Sequence, residues 1–178
     1  ALQKAENIDE EKQATQFEIL MSETEKNNFV HYEISNFGKE NFFGRHNSNY
    51  WKGEKYLGVG PAAHSFNGEI RQWNVANNAK YIESISQRII PNETEILTPV
   101  QRLNEYVMTS LRTIWGTNLK KIKNDFGDFL YEKFLFNLKR INNSIFISEE
   151  KNTLCLTQKG KMIADKIILD LWIEEPNQ

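Results

Sequence analysis

HYEISNFGKENFFGRHNSNYWKGEKYLGVGPAAHSF, residues 31–66, is the stretch on which the fold reading turns. FVHYEI, residues 29–34, reads as a short strand. The polar, aromatic run SNFGKENFFGRHNSNY, residues 35–50, holds two glycines and reads as a loop with a helical turn around His46 to Tyr50. YLGVG, residues 56–60, reads as a second, buried strand ending in glycines. Upstream, Asp9 suits the cap of a helix running to about residue 27, with Ala14, Phe17, Leu20 and Met21 on one face. Helix, strand, loop, strand is the succession of an α/β layer.

Working outward, Asn67-Gly68 in SFNGEIRQWN sits between two short alternating runs, the strongest hairpin signal in the chain. A helix over about 77–89 follows, with Tyr81, Ile82, Ile85 and Ile89 on one face. Pro91, Asn92 and Pro99 then break the chain, which places a domain boundary near residue 98 and divides it into 1–98 and 99–178. TPVQRLNEYVMTSLRTIWG begins with a threonine cap and a first-turn proline, carries Leu103, Val107, Leu111 and Ile114 on one face, and stops at Gly116. NLKKIKNDFG and DFLYEKFLFNLKRI predict two more helices, SIFISEE and NTLCLT two short strands, and TQKGKMIADKIILDLW a last helix. That order resembles a winged helix, and the expected fold class is α/β (α+β).

The bulk properties exclude several classes. The 178 residues are 39% hydrophobic and 26% charged, ordinary for a globular chain. No apolar run of about 18 residues is present to span a membrane. ALQKAENIDEEK lacks the basic start and apolar centre of a signal peptide, so a cytoplasmic setting is expected. The sequence opens in helix-like residues without methionine and reads as part of something longer. Cys155 is the single cysteine, which excludes an internal disulfide framework and any zinc or iron–sulfur site built from several cysteines of this chain. Residues 1–98 hold 10 Lys and Arg against 14 Asp and Glu, and residues 99–178 hold 12 against 10, so neither half is basic enough to suggest a nucleic-acid surface. The dense cluster Lys120, Lys121 and Lys123, followed by Asp125 and Asp128, reads as a solvated helix face.

His46 and Tyr50, four residues apart, would share a face on a helical turn, and both residue types serve as axial ligands of haem iron. The alternative is a histidine and Asn47 bonded to loop backbone beside a packing tyrosine. Arg45 could pair with a carboxylate such as a propionate, while Phe42, Phe43 and Trp51 could cover a flat ring or simply be core. Gly58 and Gly60, with Ala62 and Ala63 after them, permit close approach of a ligand at a strand end, or make a plain turn. GVGPAA matches neither the Walker loop nor GxGxxG. His64 could shuttle protons or ligate, and Glu33 is a carboxylate expected to be half-buried; either could close a structural hydrogen bond. His31 reads as a strand residue and Cys155 as a buried packing thiol.

YEISNF at 32–37, RHNSNYW at 45–51, YLGVGPAAHS at 56–65 and LTQKGKMIADKIILDLW at 156–172 together resemble the radical SAM family of the oxygen-independent coproporphyrinogen III oxidases, and within it the haem-chaperone (HemW) branch. The resemblance covers essentially the whole chain and corresponds to about the C-terminal half of such proteins. It implies that residues 1–98 are the terminal elements of a partial (β/α) barrel and residues 99–178 a HemN C-terminal-type domain. In the parent protein it implies a 4Fe–4S cluster, held by a CxxxCxxC motif, and S-adenosylmethionine. This chain has no such motif, so no metal site and no catalytic residue are expected in it. The branch's HNxxY haem motif is intact here as His46, Asn47 and Tyr50, with Arg45 beside it, and Gly58, Gly60 and Ala62 correspond to the strand end facing adenosylmethionine. The expected activity of the parent is binding haem and transferring it to an acceptor protein. The alternatives are oxidative decarboxylation of coproporphyrinogen III to protoporphyrinogen IX, and a protein-interaction module. Strand edges left uncovered by a missing half would promote self-association.

Overall fold

The computed structural model describes residues 9–141 and 145–175. The helix-like reading of residues 1–8 and the start of a strand at Ser144 lie outside them.

The first helix, α1 (Glu10–Lys26), is capped as expected, Lys12 donating its backbone N–H to the Asp9 carboxylate at 3.1 Å. It buries Met21 and sets Phe17 edge-on to the His31 ring at 5.7 Å. Strand β1 (Val30–Glu33) pairs antiparallel with β2 (Asn36–Gly38), where the sequence predicts only loop. The buried Glu33 side chain makes that turn, its Oε2 accepting from the Ser35 N–H at 3.1 Å and the Asn36 amide at 2.5 Å.

A seven-residue helix, α2 (Arg45–Trp51), follows. Strands β3 (His64–Phe66), β4 (Ile70–Asn74) and β5 (Asn92–Ile96) then form an antiparallel sheet in that order. The Asn67-Gly68 hairpin is as predicted: Asn67 Oδ1 accepts from Glu69 and Ile70, and Gly68 takes φ 104°. Strand β5 was hidden by its flanking prolines, which lie just outside it. Helix α3 (Asn78–Ser86), capped by Asn77, leaves its apolar side exposed at Ile82 and Ile85.

YLGVG is not the buried strand its composition predicts. Among the described residues its pairing is a single bridge, Tyr56 with Phe66, and Leu57 and Val59 are 79% and 82% exposed. The backbone N–H groups that would feed a ladder go elsewhere, Gly58 donating to Ser65 Oγ at 3.0 Å and Gly60 to Tyr81 Oη at 3.2 Å. All strand pairings among the described residues are antiparallel and the sheets are open.

Helix α4 (Pro99–Leu111) starts in a reciprocal box, Thr98 and Gln101 each satisfying the other's backbone N–H. It ends at Leu111, short of the predicted Gly116, because the next residues turn into β6 (Thr117–Asn118). Gly116, at φ 65°, lies so close to β8 (Thr153–Leu156) that a Cβ would stand 2.3 Å from the Leu154 carbonyl oxygen. Helix α5 (Leu119–Ile141) is broken at Gly127 (φ 82°, ψ 169°), which yields the two predicted helical legs. The hairpin of β7 (Ile147–Glu150) and β8 joins β6 in the order β6-β8-β7, and α6 (Gln158–Met162) and α7 (Ala164–Leu171) close the unit. Helix, strand, two helical legs and a hairpin wing surround one core, centred on Leu103, Val107, Leu111, Ile122, Phe134, Leu154, Ile167 and Leu171.

The two parts of the chain are stitched where α4 ends. Ile34 donates its N–H to the Arg112 carbonyl and Ile114 donates to the Tyr32 carbonyl, both at 3.1 Å, around a bridge between Glu33 and Thr113.

Candidate functional site

RHNSNYW is a run without glycine or proline, bounded by Gly44 at the N-cap and Gly53 (φ 69°) just past the end, so it closes into the short helix α2. One face of that helix is fixed from below. Ser48 is buried, Trp51 Nε1 donates to Asn47 Oδ1 at 3.0 Å, and the Asn47 amide donates to Tyr32 Oη at 3.4 Å. Tyr32 in turn stacks on Phe43 at 4.6 Å, and the Arg112 guanidinium lies over the Trp51 ring at 5.5 Å. Arg45, His46 and Tyr50 are on the outer side, exposed to solvent. His46 and Tyr50 therefore stand one turn apart on an open helical surface, while Asn47 is spent inside the fold. Phe42 is 82% exposed and Phe43 half-buried.

Tyr50 also lies at the edge of a cleft of about 1020 Å³ between the β3–β5 sheet and helices α4 and α5. Tyr56 and Phe66 continue that wall, with ring centroids 6.3 Å (Tyr50 to Tyr56) and 6.2 Å (Tyr56 to Phe66) apart. Tyr106 and Phe126, their ring centroids 6.3 Å apart and their planes inclined by 30°, form part of the other wall, and Arg102 lines the cleft from α4. Burial pushes both the Tyr56 and the Tyr106 phenol above the usual tyrosine range, so both stay neutral at physiological pH. His64 lines the same cleft, exposed, its ring 6.3 Å from Trp73. Sequence reasoning missed Arg102 and Tyr106, because the apolar face alone marks α4, and it missed Phe126 on α5. The available signal was the four-residue spacing of Arg102 and Tyr106 on the side of α4 not occupied by Leu103 and Val107.

The remaining candidates are dispersed. Glu33 is 1% exposed, where the sequence predicts half-burial, because the end of α4 covers it. Gly58 packs against its own chain, a Cβ there falling 2.1 Å from the His64 carbonyl oxygen. The Gly60 carbonyl accepts from the Asn74 amide at 2.9 Å, and Ala62, at φ 57°, donates its N–H to Val75. His31 faces α1, stacked on Phe37 at 4.2 Å, with Nε2 donating to the Ile34 carbonyl at 2.9 Å. Cys155 is half-buried rather than buried, its thiol 3.7 Å from the Ile114 carbonyl it donates to and pushed up by desolvation. One such thiol does not fit a 4Fe–4S cluster, and no group of three or more His, Cys, Asp or Glu side chains that could hold a metal exists among the described residues. Lys121 and Lys123 pair with Asp125 and Asp128, in keeping with a solvated helix face. No helix among the described residues is long and apolar enough to cross a membrane.

The comparisons with known proteins cover most of the chain. Residues 97–163 match the HemN C-terminal domain family. The chain is 31% identical over 159 residues to heme chaperone HemW of Bacillus subtilis, covering 89% of this chain and 42% of that protein. It is 32% identical over 164 residues to heme chaperone HemW of Mycobacterium tuberculosis, covering 92% and 40%. Over most of its length the chain is similar to the heme chaperones named HemW, and residues 97–163 carry a HemN C-terminal domain. The chain spans about two-fifths of the length of the curated relatives it matches. One of these is the mitochondrial radical S-adenosyl methionine domain-containing protein 1 of Dictyostelium discoideum, 27% identical over 186 residues and covering 90% of this chain and 42% of that protein. Among solved structures, the coproporphyrinogen III oxidase HemN of Escherichia coli, a radical SAM enzyme, shares the fold at a TM-score of 0.65. That match has 13% identity and covers 86% of this chain and 39% of that one.

Proposed function

We propose that the protein binds haem as cargo through the α2 segment and passes it to an acceptor protein. The observation carrying this reading is the outer face of α2, where His46 and Tyr50 stand one turn apart on a helix braced from beneath by Asn47 and Trp51. An imidazole and a phenol so placed offer ligands for haem iron, and Arg45 offers a cation for a propionate. Support comes from relatives named heme chaperone that align over most of the chain. In this reading the boundary near residue 98 separates the haem segment from the HemN C-terminal domain, and the protein works in the cytoplasm.

The relatives also imply a 4Fe–4S cluster and S-adenosylmethionine in the longer parent. The donor set of this chain, with Cys155 as its single thiol, does not fit the cluster. A role for Gly58, Gly60 and Ala62 toward adenosylmethionine belongs to the same proposal. A second reading, porphyrinogen oxidation by the parent, is favoured by the shared fold with HemN of Escherichia coli.

Haem titration followed by optical absorption tests the first reading, on the protein and on His46→Ala and Tyr50→Phe, with circular dichroism confirming the fold. A saturating Soret shift that weakens in the variants is expected. Equal, unsaturating binding by all three overturns it.

A further inference from the structure

We infer that the cleft between the β3–β5 sheet and helices α4 and α5 seats a flat, carboxylate-bearing aromatic macrocycle, with Arg102 as its carboxylate anchor. The inference rests on the haem reading and deepens it, since Tyr50 belongs to both the α2 motif and the cleft, whereas His46 is not part of the lining.

The shape argues for a macrocycle. Small-molecule sites usually enclose roughly 300–1,000 Å³, and this cleft, at about 1020 Å³, lies at the upper end. Aromatic rings line it from both parts of the chain: Tyr50, Tyr56 and Phe66 from the first, Tyr106 and Phe126 from the second. Such ring faces favour a flat, delocalised ligand over a compact polar one. The two half-buried phenols, Tyr56 and Tyr106, stay neutral, so they offer stacking surface without repelling an anion.

The cations argue for a carboxylate and single out one of them. Arg71 is held between Glu95 and Glu105. Lys121 is paired with Asp125, and the Lys52 ammonium sits over the Trp115 ring at 4.2 Å. Arg102 is the exception: its ion-pair partner is the largely exposed Glu69, 3.6 Å away, and its buried Nε has no hydrogen-bond partner among the described residues. The Arg102 guanidinium, partly exposed and paired with a solvent-facing carboxylate, is the cation that a ligand carboxylate can engage with a charge-assisted bond.

The test uses three probes on the protein: haem, iron-free protoporphyrin IX, and the dimethyl ester of protoporphyrin IX, whose carboxylates are masked. Arg102→Gln is expected to weaken protoporphyrin IX by about ten-fold, the loss of one charge-assisted hydrogen bond, and to leave the ester unchanged. Arg102→Lys should recover part of the loss. Phe126→Leu should weaken both porphyrins, and His46→Ala should weaken neither iron-free probe. Circular dichroism checks that each variant is folded. If Arg102→Gln binds the free acid as tightly as the unaltered protein, the cleft is not the seat. If haem binds through His46 while iron-free porphyrin does not bind at all, the cleft proposal falls and the haem reading stands. Arg102-dependent porphyrin binding with no effect of iron or of His46 would leave the cleft standing and overturn the haem reading.

Discussion

Arg112 Nε stands 3.7 Å from Glu33 Oε1, and that carboxylate is 1% exposed. The pair joins the end of α4 to the end of β1, while the same guanidinium donates to Asp165 on α7 at 2.6 Å and covers the Trp51 ring of α2. Removing one partner of a buried ion pair leaves an uncompensated charge and costs about 3–5 kcal/mol. Arg112→Ala is therefore expected to destabilise by about 3 kcal/mol in urea unfolding. Asp165→Ala, which removes a highly exposed partner, should cost no more than about 1 kcal/mol. Similar losses for the two variants would show that Glu33 does not depend on the guanidinium.

Asn47 lies within the segment proposed to hold haem, yet its amide bridges Trp51 and Tyr32. Its expected role is to hold α2 at the angle that presents His46 and Tyr50. Asn47→Ala should lower stability by about 1 kcal/mol, in line with a lost hydrogen bond, and weaken haem binding less than His46→Ala does. Trp51→Phe, which keeps the ring but removes the indole donor, should produce the same stability loss. Haem binding abolished by Asn47→Ala at unchanged stability would instead put the amide on the ligand.

Gly58 and Gly60 can be separated by substitution. A Cβ at Gly58 meets the His64 backbone at 2.1 Å, whereas one at Gly60 meets nothing within 4 Å and is opposed only by φ 110°. Alanine at Gly60 should cost at least about 1 kcal/mol through backbone strain, and alanine at Gly58 more, because backbone must move. Thermal unfolding of both variants measures this order. Unchanged stability for Gly58→Ala would mean that its close packing on His64 does not support the fold.

Much of this architecture is legible in the sequence where one strong local signal acts alone. Asp9, Thr98-Pro99 and Asn67-Gly68 each bring their own hydrogen bonds, and each marks the element it predicts. The short elements β2, β5 and β6 are not legible, because they form through pairing with distant strands and through the turn made by Glu33. YLGVG misleads for the opposite reason: its composition is that of a buried strand, but its N–H groups find side-chain partners instead of a ladder. At the candidate site, the i, i+4 spacing foretells the shared face of His46 and Tyr50. It cannot foretell the cleft, whose second wall is contributed by residues more than fifty positions away.

His31 gives the fold a pH dependence that its surroundings define. Burial against Phe17 and Phe37 is the main reason its imidazole titrates below the usual histidine value of 6.5, and the Lys161 ammonium, which donates to the His31 carbonyl at 3.1 Å, pushes the same way. The Ile34 carbonyl and Glu33 oppose the shift without cancelling it. A base whose folded pKa is depressed binds fewer protons in the native state than in the unfolded chain just below 6.5. Its contribution is thus fully present above about pH 6.5 and is lost as pH falls through the folded value. Urea midpoints of the protein should decline between about pH 7.5 and 5, and those of His31→Gln should decline less, since the variant lacks the titrating ring. Parallel curves for the two proteins would show that the imidazole titrates alike in the folded and unfolded chain, and that the acid sensitivity lies elsewhere.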